Sequence, residues 1–132
     1  MPLHDLTADM LTRIRNAVSN NARQVIVLDN KLNRGVAKVL HDEGFIRGFD
    51  PVADGRGGLI RVDLKYGPDG QSVIRSIDRV SKAGCRVYAG VEEIPKPEQG
   101  LGIAIVTTSR GVMSDRACRE SRLGGEVVAV VC

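Results

Sequence analysis

The chain has no tryptophan, and its two Tyr and two Phe amount to 3% of 132 positions. A core assembled around large rings is therefore excluded. Packing must come from Val, Ile, Leu and Ala, which bring the hydrophobic fraction to 42%. That is enough for a folded core and too much for a disordered chain. Cysteine is also sparse: Cys85, Cys118 and Cys132, an odd number at wide spacing and without a CxxC pair. Such usage excludes a disulfide framework and a cysteine-rich zinc site. His4 and His41 do not stand at ligand spacing with any cysteine, so neither a metal nor another cofactor is expected. No run approaches the roughly 20 apolar residues that cross a bilayer. The opening Met1-Pro2-Leu3-His4-Asp5 lacks the basic and apolar stretches of a secretory leader. The expectation is a reduced, cytoplasmic protein with no membrane partner.

Charge of one sign is lacking too. Nineteen Lys and Arg against sixteen Asp and Glu leave a net charge of +3, which permits an anionic partner without demanding one. The excess is spread over both halves. Locally, Arg110, Arg116, Arg119 and Arg122 are opposed only by Asp115 and Glu120.

What is present is clear periodicity. Leu6, Met10, Ile14 and Val18 recur every fourth residue, widened by Leu11 and Ala17, the spacing of one buried helical face. Asp5 or Thr7 is the candidate cap, and Asn20-Asn21 the end. Arg13 and Arg15 lie away from the stripe centre and are expected to be solvated or to face a partner. The β-branched run Gln24–Leu28 reads as a strand. Leu32, Val36, Val39 and Leu40 give a second helix closed by Gly44. Phe45–Phe49 reads as a strand, and Asp54–Gly58 as a turn. Ile60, Val62, Leu64 and Tyr66 alternate with Arg61, Asp63 and Lys65, a half-buried strand. A turn at Gly67-Pro68-Asp69-Gly70 is followed by a further strand through Ile77. Beyond a turn at Ser81–Gly84 come a strand Cys85–Ala89 and a connector broken by Pro95-Lys96-Pro97. A central strand over Leu101–Val106 follows. Asp115 is the candidate cap of a short helix Arg116–Arg122 ended by Gly124-Gly125, and Glu126–Val131 is the last strand.

The length suits one domain or two very small ones packed together. The predicted fold is α+β in two small domains. Residues 1–76 form a helix/strand unit with a three-stranded sheet, and 77–132 a mainly β unit with one short helix.

The stretch that carries chemistry is Gly100-Leu-Gly-Ile-Ala-Ile-Val-Thr-Thr-Ser-Arg-Gly-Val-Met-Ser-Asp115. A buried strand delivers Thr107, Thr108 and Ser109, then Arg110, to a loop, with Gly111 where the backbone needs an unusual angle or room for close approach. Hydroxyls donate and accept at short range, and a guanidinium pairs with phosphate or stacks on a base. Irregular RNA exposes groups of this size and polarity. Glu126, if its strand lies beside the loop, could accept from Thr108 or Ser109. The plainer readings are a solvated turn for Thr107–Ser109, a half-buried strand residue for Tyr88, a solvated pair for His41-Asp42 and a packed helix residue for Cys118. Free backbone N–H groups at Ser114-Asp115 attract anions, but the Asp115 charge opposes that, so capping is its expected role. Gly100-Leu-Gly102 precedes a strand, whereas a dinucleotide fingerprint follows one. No nucleophile, base and orienting group can be assembled for an enzyme. A protein-interaction module using the first helix is the remaining alternative.

The same string resembles the signature of the bacterial small ribosomal subunit protein eight family. So do Ala8-Asp9-Met10-Leu11-Thr12-Arg13-Ile14-Arg15-Asn16, Glu43-Gly44-Phe45-Ile46 and Gly124-Gly125-Glu126-Val127, in family order across nearly the whole chain. The resemblance implies two packed α+β domains, no enzymatic activity, and primary binding to the central domain of small-subunit ribosomal RNA, needed for assembly of that region. Neighbouring small-subunit proteins are implied partners, and its own operon messenger RNA, bound as a mimic in translational repression, a further one. In the family the hydroxyl loop meets a distorted helical segment of RNA. That maps onto Thr107, Thr108, Ser109 and Arg110, with Gly111 shaping the loop, Glu126 supporting it, Tyr88 as the aromatic of the preceding strand and Asn30-Lys31 as a secondary contact. Thr107 stands where Ser is usual. Ala-Gly-Val-Glu-Glu follows Tyr88 where the family often has Lys or Arg. A shallow salt dependence of RNA binding is the expected consequence.

Overall fold

A computed structural model describes residues 6–52, 58–82 and 84–132. The chain divides into two compact units, Met1–Arg75 and Ser76–Cys132.

In the first unit, α1 (Leu6–Ser19), β1 (Gln24–Leu28), α2 (Lys31–Asp42), β2 (Ile46–Pro51) and β3 (Leu59–Leu64) follow in order. The sheet is antiparallel, with β3 between β1 and β2. The α1 stripe is buried at Met10, Leu11, Ile14 and Ala17, and α2 buries Val36, Ala37, Val39 and Leu40. Ile60, Val62 and Leu64 of β3 are buried between half-buried neighbours, as the alternation requires. Each such aliphatic side chain contributes about 1.5–3 kcal/mol relative to exposure.

Helix ends follow local chemistry in most places. Asn21 takes a φ of 55° after α1. Gly44 takes +85° after α2, with nothing near a would-be Cβ, so glycine is there for its backbone freedom. Thr7 is not a cap. It lies inside α1, 2% exposed, and its hydroxyl donates to Asn33 Oδ1 at 2.9 Å. Asn33, fully buried, also donates to the Leu28 carbonyl at 2.9 Å. One amide thus ties α1, α2 and the end of β1, a tertiary bond that spacing along the chain does not reveal. Arg13 pairs with Asp9 one turn earlier, at 2.8 Å. His41 Nδ1 lies 3.4 Å from Asp42 in a half-exposed setting. Asp5 and most of the Asp54–Gly58 turn lie outside the described residues.

The strand expected through Ile77 is not part of this sheet. After Tyr66 only a single bridge forms, Tyr66 to Ser72. The chain then bonds elsewhere, Ser76 N–H donating to the Cys132 carbonyl at 3.1 Å. Strand β4 is Ile77–Arg79 and pairs with the carboxy-terminal strand.

The second unit continues with β5 (Tyr88–Ala89), β6 (Ile103–Thr108), β7 (Gly111–Ser114), α3 (Asp115–Ser121) and β8 (Gly125–Val131). The sheet order is β4-β8-β6-β7, with β5 pairing β8 beyond β4 along the same edge, all antiparallel. Ala104, Val106, Val127 and Cys118 form one buried cluster with Ile94. Cys118 is the packed helix residue expected. Burial pushes its thiol up, Asp115 adds to that and Arg119 opposes it, so it stays a neutral, unreactive thiol.

Four expectations shift here. The Cys85–Ala89 strand shrinks to two residues, Cys85 making only a bridge to Lys82. The central strand begins at Ile103, because a short 3-10 turn at Pro97–Gly100 precedes it, and it runs on to include both threonines. Ser114, not Asp115, caps α3, accepting from Ala117 N–H at 3.2 Å. And α3 ends on Arg122 in the left-handed region, φ 54°, before the glycines are reached.

Candidate nucleic-acid interface

Thr108 and Gly111 are paired across β6 and β7, so Ser109-Arg110 is a two-residue connection at the tip of a hairpin. Neither Ser109 nor Arg110 takes a positive φ. The twist this leaves is absorbed by Gly111, at +111°, where a Cβ would meet nothing within 4 Å. Glycine is required there for conformation, as in a turn followed by a bulge.

The three hydroxyls separate into two kinds. Thr108 Oγ1 donates to the Gly111 carbonyl at 2.9 Å and accepts from Arg110 N–H at 3.1 Å. It builds the turn. No described residue hydrogen-bonds the hydroxyls of Thr107 and Ser109, and the exposed Arg110 has no acidic partner among the described residues. Of the clustered arginines, Arg116 donates to the Gly100 carbonyl at 2.6 Å. Arg119 reaches Asp115 at 2.6 Å and the Pro95 carbonyl at 3.1 Å. Arg122, the last of that cluster, is exposed at the end of α3 without such a partner.

The row through Thr107 runs across the sheet. Glu126 of β8 lies directly opposite Thr107 on one side and Tyr88 of β5 on the other, and Val112 opposes Thr107 from β7. Opposed residues share a face, so Tyr88, Glu126 and Thr107 line up side by side. Tyr88 is 69% exposed, more open than a half-buried strand residue and available for stacking. Glu126 does not accept from Thr108 or Ser109. Its Oε2 takes the Ser81 hydroxyl and, at 3.0 Å, Arg86; Ser81 in turn accepts from Val87 N–H at 3.1 Å. Burial alone would raise the Glu126 carboxyl. The hydrogen bonds from Ser81 and Arg86 and the charges of Arg86 and Arg79 outweigh it and hold the group below the usual carboxylate range. Glu126 therefore anchors the segment that carries Tyr88.

Gly124 and Gly125 explain themselves as space. A Cβ on Gly125 would stand 2.1 Å from the Thr107 carbonyl oxygen, and one on Gly124 2.5 Å from that of Ala89. The pair lets β8 press against the hydroxyl strand and the Tyr88 strand together. The sequence signal was present, but it read as a helix end.

Asp115 is 1% exposed. It accepts from Ala104 N–H at 3.1 Å and from Arg119, which fixes α3 to β6 and closes the helix terminus to anions. Asn30, in the first unit, caps α2 by accepting from Asn33 N–H at 2.7 Å. Lys31 beside it is exposed. Among the described residues no three His, Cys, Asp or Glu side chains converge to hold a metal. No described helix is long and apolar enough to cross a membrane.

The fold is a two-unit α+β protein whose open polar groups sit on a hairpin tip, with an exposed tyrosine on the same sheet. Comparison with known proteins narrows this. Residues 5–132 match the family described as Ribosomal protein S8. The chain is 50% identical over 127 residues to the small ribosomal subunit protein uS8 of Finegoldia magna, covering 96% of this chain and 97% of that one. It is 46% identical over 131 residues to uS8 of Clostridioides difficile, covering 99% of each. To uS8 of Caldicellulosiruptor bescii it is 49% identical over 129 residues, covering 96% of each. The chain belongs to the ribosomal protein S8 family, whose members are structural proteins and not enzymes.

Proposed function

We propose that this protein is a structural constituent of the small ribosomal subunit in the bacterial cytoplasm. In this reading it is a primary binder of the central domain of small-subunit ribosomal RNA and is needed to assemble that region beside neighbouring subunit proteins. Residues 77–132 act as the RNA-binding domain. The observation that carries this is the division of labour in the hairpin. Thr108 and Gly111 hold the turn, so that Thr107, Ser109 and Arg110 are left outward with unused hydrogen-bonding capacity. Thr107 and Ser109 meet base edges or ribose hydroxyls, and Arg110 pairs with phosphate or stacks. Tyr88 offers a base platform worth about 1–3 kcal/mol, with Glu126 fixing its strand. In the first unit Asn30 is spent on the helix cap, so Lys31 supplies that secondary contact to phosphate.

Changing Thr107, Ser109 and Arg110 together to Ala should weaken binding to a central-domain transcript at least tenfold, since each lost bond is worth about 0.5–1.5 kcal/mol. The thermal melt should stay nearly unchanged. Unaltered affinity would sink the assignment, as would failure of the protein to sediment with small subunits. The same surface would bind a messenger RNA that imitates the ribosomal site, which is the translational-repressor role. Competition of operon messenger RNA with the transcript for one site tests it, and simultaneous binding of both refutes it.

A further inference from the structure

The first unit has a concave surface of its own, lined by Arg23, Gln24, Arg47, Asp63, Lys65 and Tyr66. Its cations come from three strands at one end of the sheet. Arg23 immediately precedes β1, and its carbonyl accepts from Leu64 N–H at 2.8 Å. Lys65 is the next residue along β3. Arg47 is the extra residue where β2 slips register against β3 between Ile46 and Gly48, and a bulge of this kind turns a side chain out of the regular alternation. All three are exposed. Arg23 and Arg47 have no acidic partner among the described residues. The single acid of the hollow, Asp63, is held by Arg61 at 3.1 Å. The wall is fixed, because the Tyr66 hydroxyl donates to the Ala22 carbonyl at 2.5 Å. Three cations against one acid, itself already paired with Arg61, leave the hollow locally positive. A protein-binding core would be apolar and poor in lysine, whereas guanidinium forks beside an amide and an aromatic edge suit phosphate and ribose.

We infer that this hollow is a further RNA-backbone site, separate from the hairpin and from Lys31, in which Arg23, Arg47 and Lys65 take phosphates without reading sequence. It rests on the RNA-binding reading above and adds a surface to it. Two measurements on the full chain with whole small-subunit ribosomal RNA test it. A photo-crosslinking side chain in place of Gln24 leaves the cations intact. In assembled small subunits it should crosslink to RNA, whereas a crosslink to a protein, or none, overturns the inference. The same side chain in place of Arg110 scores the hairpin by itself, so an RNA crosslink at one position without the other says which reading has failed. Arg23→Gln with Arg47→Gln should flatten the log–log salt dependence of RNA affinity by about 1.5, since each phosphate contact accounts for roughly 0.7–0.9, with no change in melting. An unchanged slope overturns it equally.

Discussion

The first unit packs its sheet under two helices of 14 and 12 residues, while the second has one helix of seven and relies on backbone pressed against backbone. In each, a buried polar side chain ties helix to strand. In the first it is neutral, Asn33, bonded to Thr7 and Leu28. In the second it is an acid, Asp115, bonded to Ala104 and Arg119. A small helix cannot bury enough apolar area to fix itself, so a charged tie takes that task. The consequence is that the unit proposed to bind RNA depends on a few specific contacts, whereas the first unit depends on many interchangeable ones.

The sharpest way to break this contrast is to cut both ties. Asp115→Ala leaves a buried N–H at Ala104 without an acceptor and a guanidinium without its partner, and should cost about 3–4 kcal/mol. Asn33→Ala should cost about 2 kcal/mol, because it leaves the buried Thr7 hydroxyl without its acceptor, while the Leu28 carbonyl it releases belongs to an exposed residue and can be hydrated. Denaturant melts of both variants check this. A larger loss at Asn33 would reverse the comparison.

Two glycines give the next test. Gly125→Ala places a Cβ 2.1 Å from the Thr107 carbonyl oxygen, so the backbone must part, at about 2–3 kcal/mol, and RNA affinity should fall with it. Gly44→Ala in the first unit meets only the strain of φ +85°, about 1 kcal/mol, and should leave RNA binding alone. Equal losses would mean that close approach beside the hairpin can relax.

These contacts mark where sequence reading stops. The stripes of α1 and α2 and the alternation of β3 were legible because each buries one face, and burial imposes a period. Asn21 and Gly44 were legible because a left-handed residue at a helix end has a chemical signature. The family string located the hairpin. The bonds from Thr7 to Asn33 and from Ala104 to Asp115 were not legible, since the partners lie 26 and 11 positions apart. Nor was the difference between Thr107 and Thr108, alike in sequence and separated only by which of them the turn consumes. Gly125 looked like a helix end for the same reason: a glycine's need for space depends on a strand that arrives from elsewhere.

That difference between the threonines predicts opposite behaviour at adjacent positions. Thr108→Val removes the two turn bonds and should cost about 1 kcal/mol while loosening the tip. Thr107→Val should leave the melt unmoved and lower RNA affinity. Paired thermal melts and binding titrations read both, and a Thr107 variant that melts early without losing RNA would show its hydroxyl to be structural.

The smallest expected effect lies at Glu126 and has a pH signature. Its folded carboxyl sits below the usual value of 4.5 because Ser81, Arg86 and Arg79 outweigh burial. A lowered folded value means that ionised Glu126 contributes stability above pH 4.5, and that this contribution is lost as the pH falls through the lower folded value. Gln at this position cannot titrate. The melting gap between Glu126→Gln and the native chain should therefore be steady near neutrality and close below pH 4.5. RNA affinity at neutral pH should drop less than on loss of Arg110, because only the anchoring of the Tyr88 segment is weakened. A gap that persists unchanged into acid would mean that the carboxylate charge contributes nothing and that shape alone holds the segment.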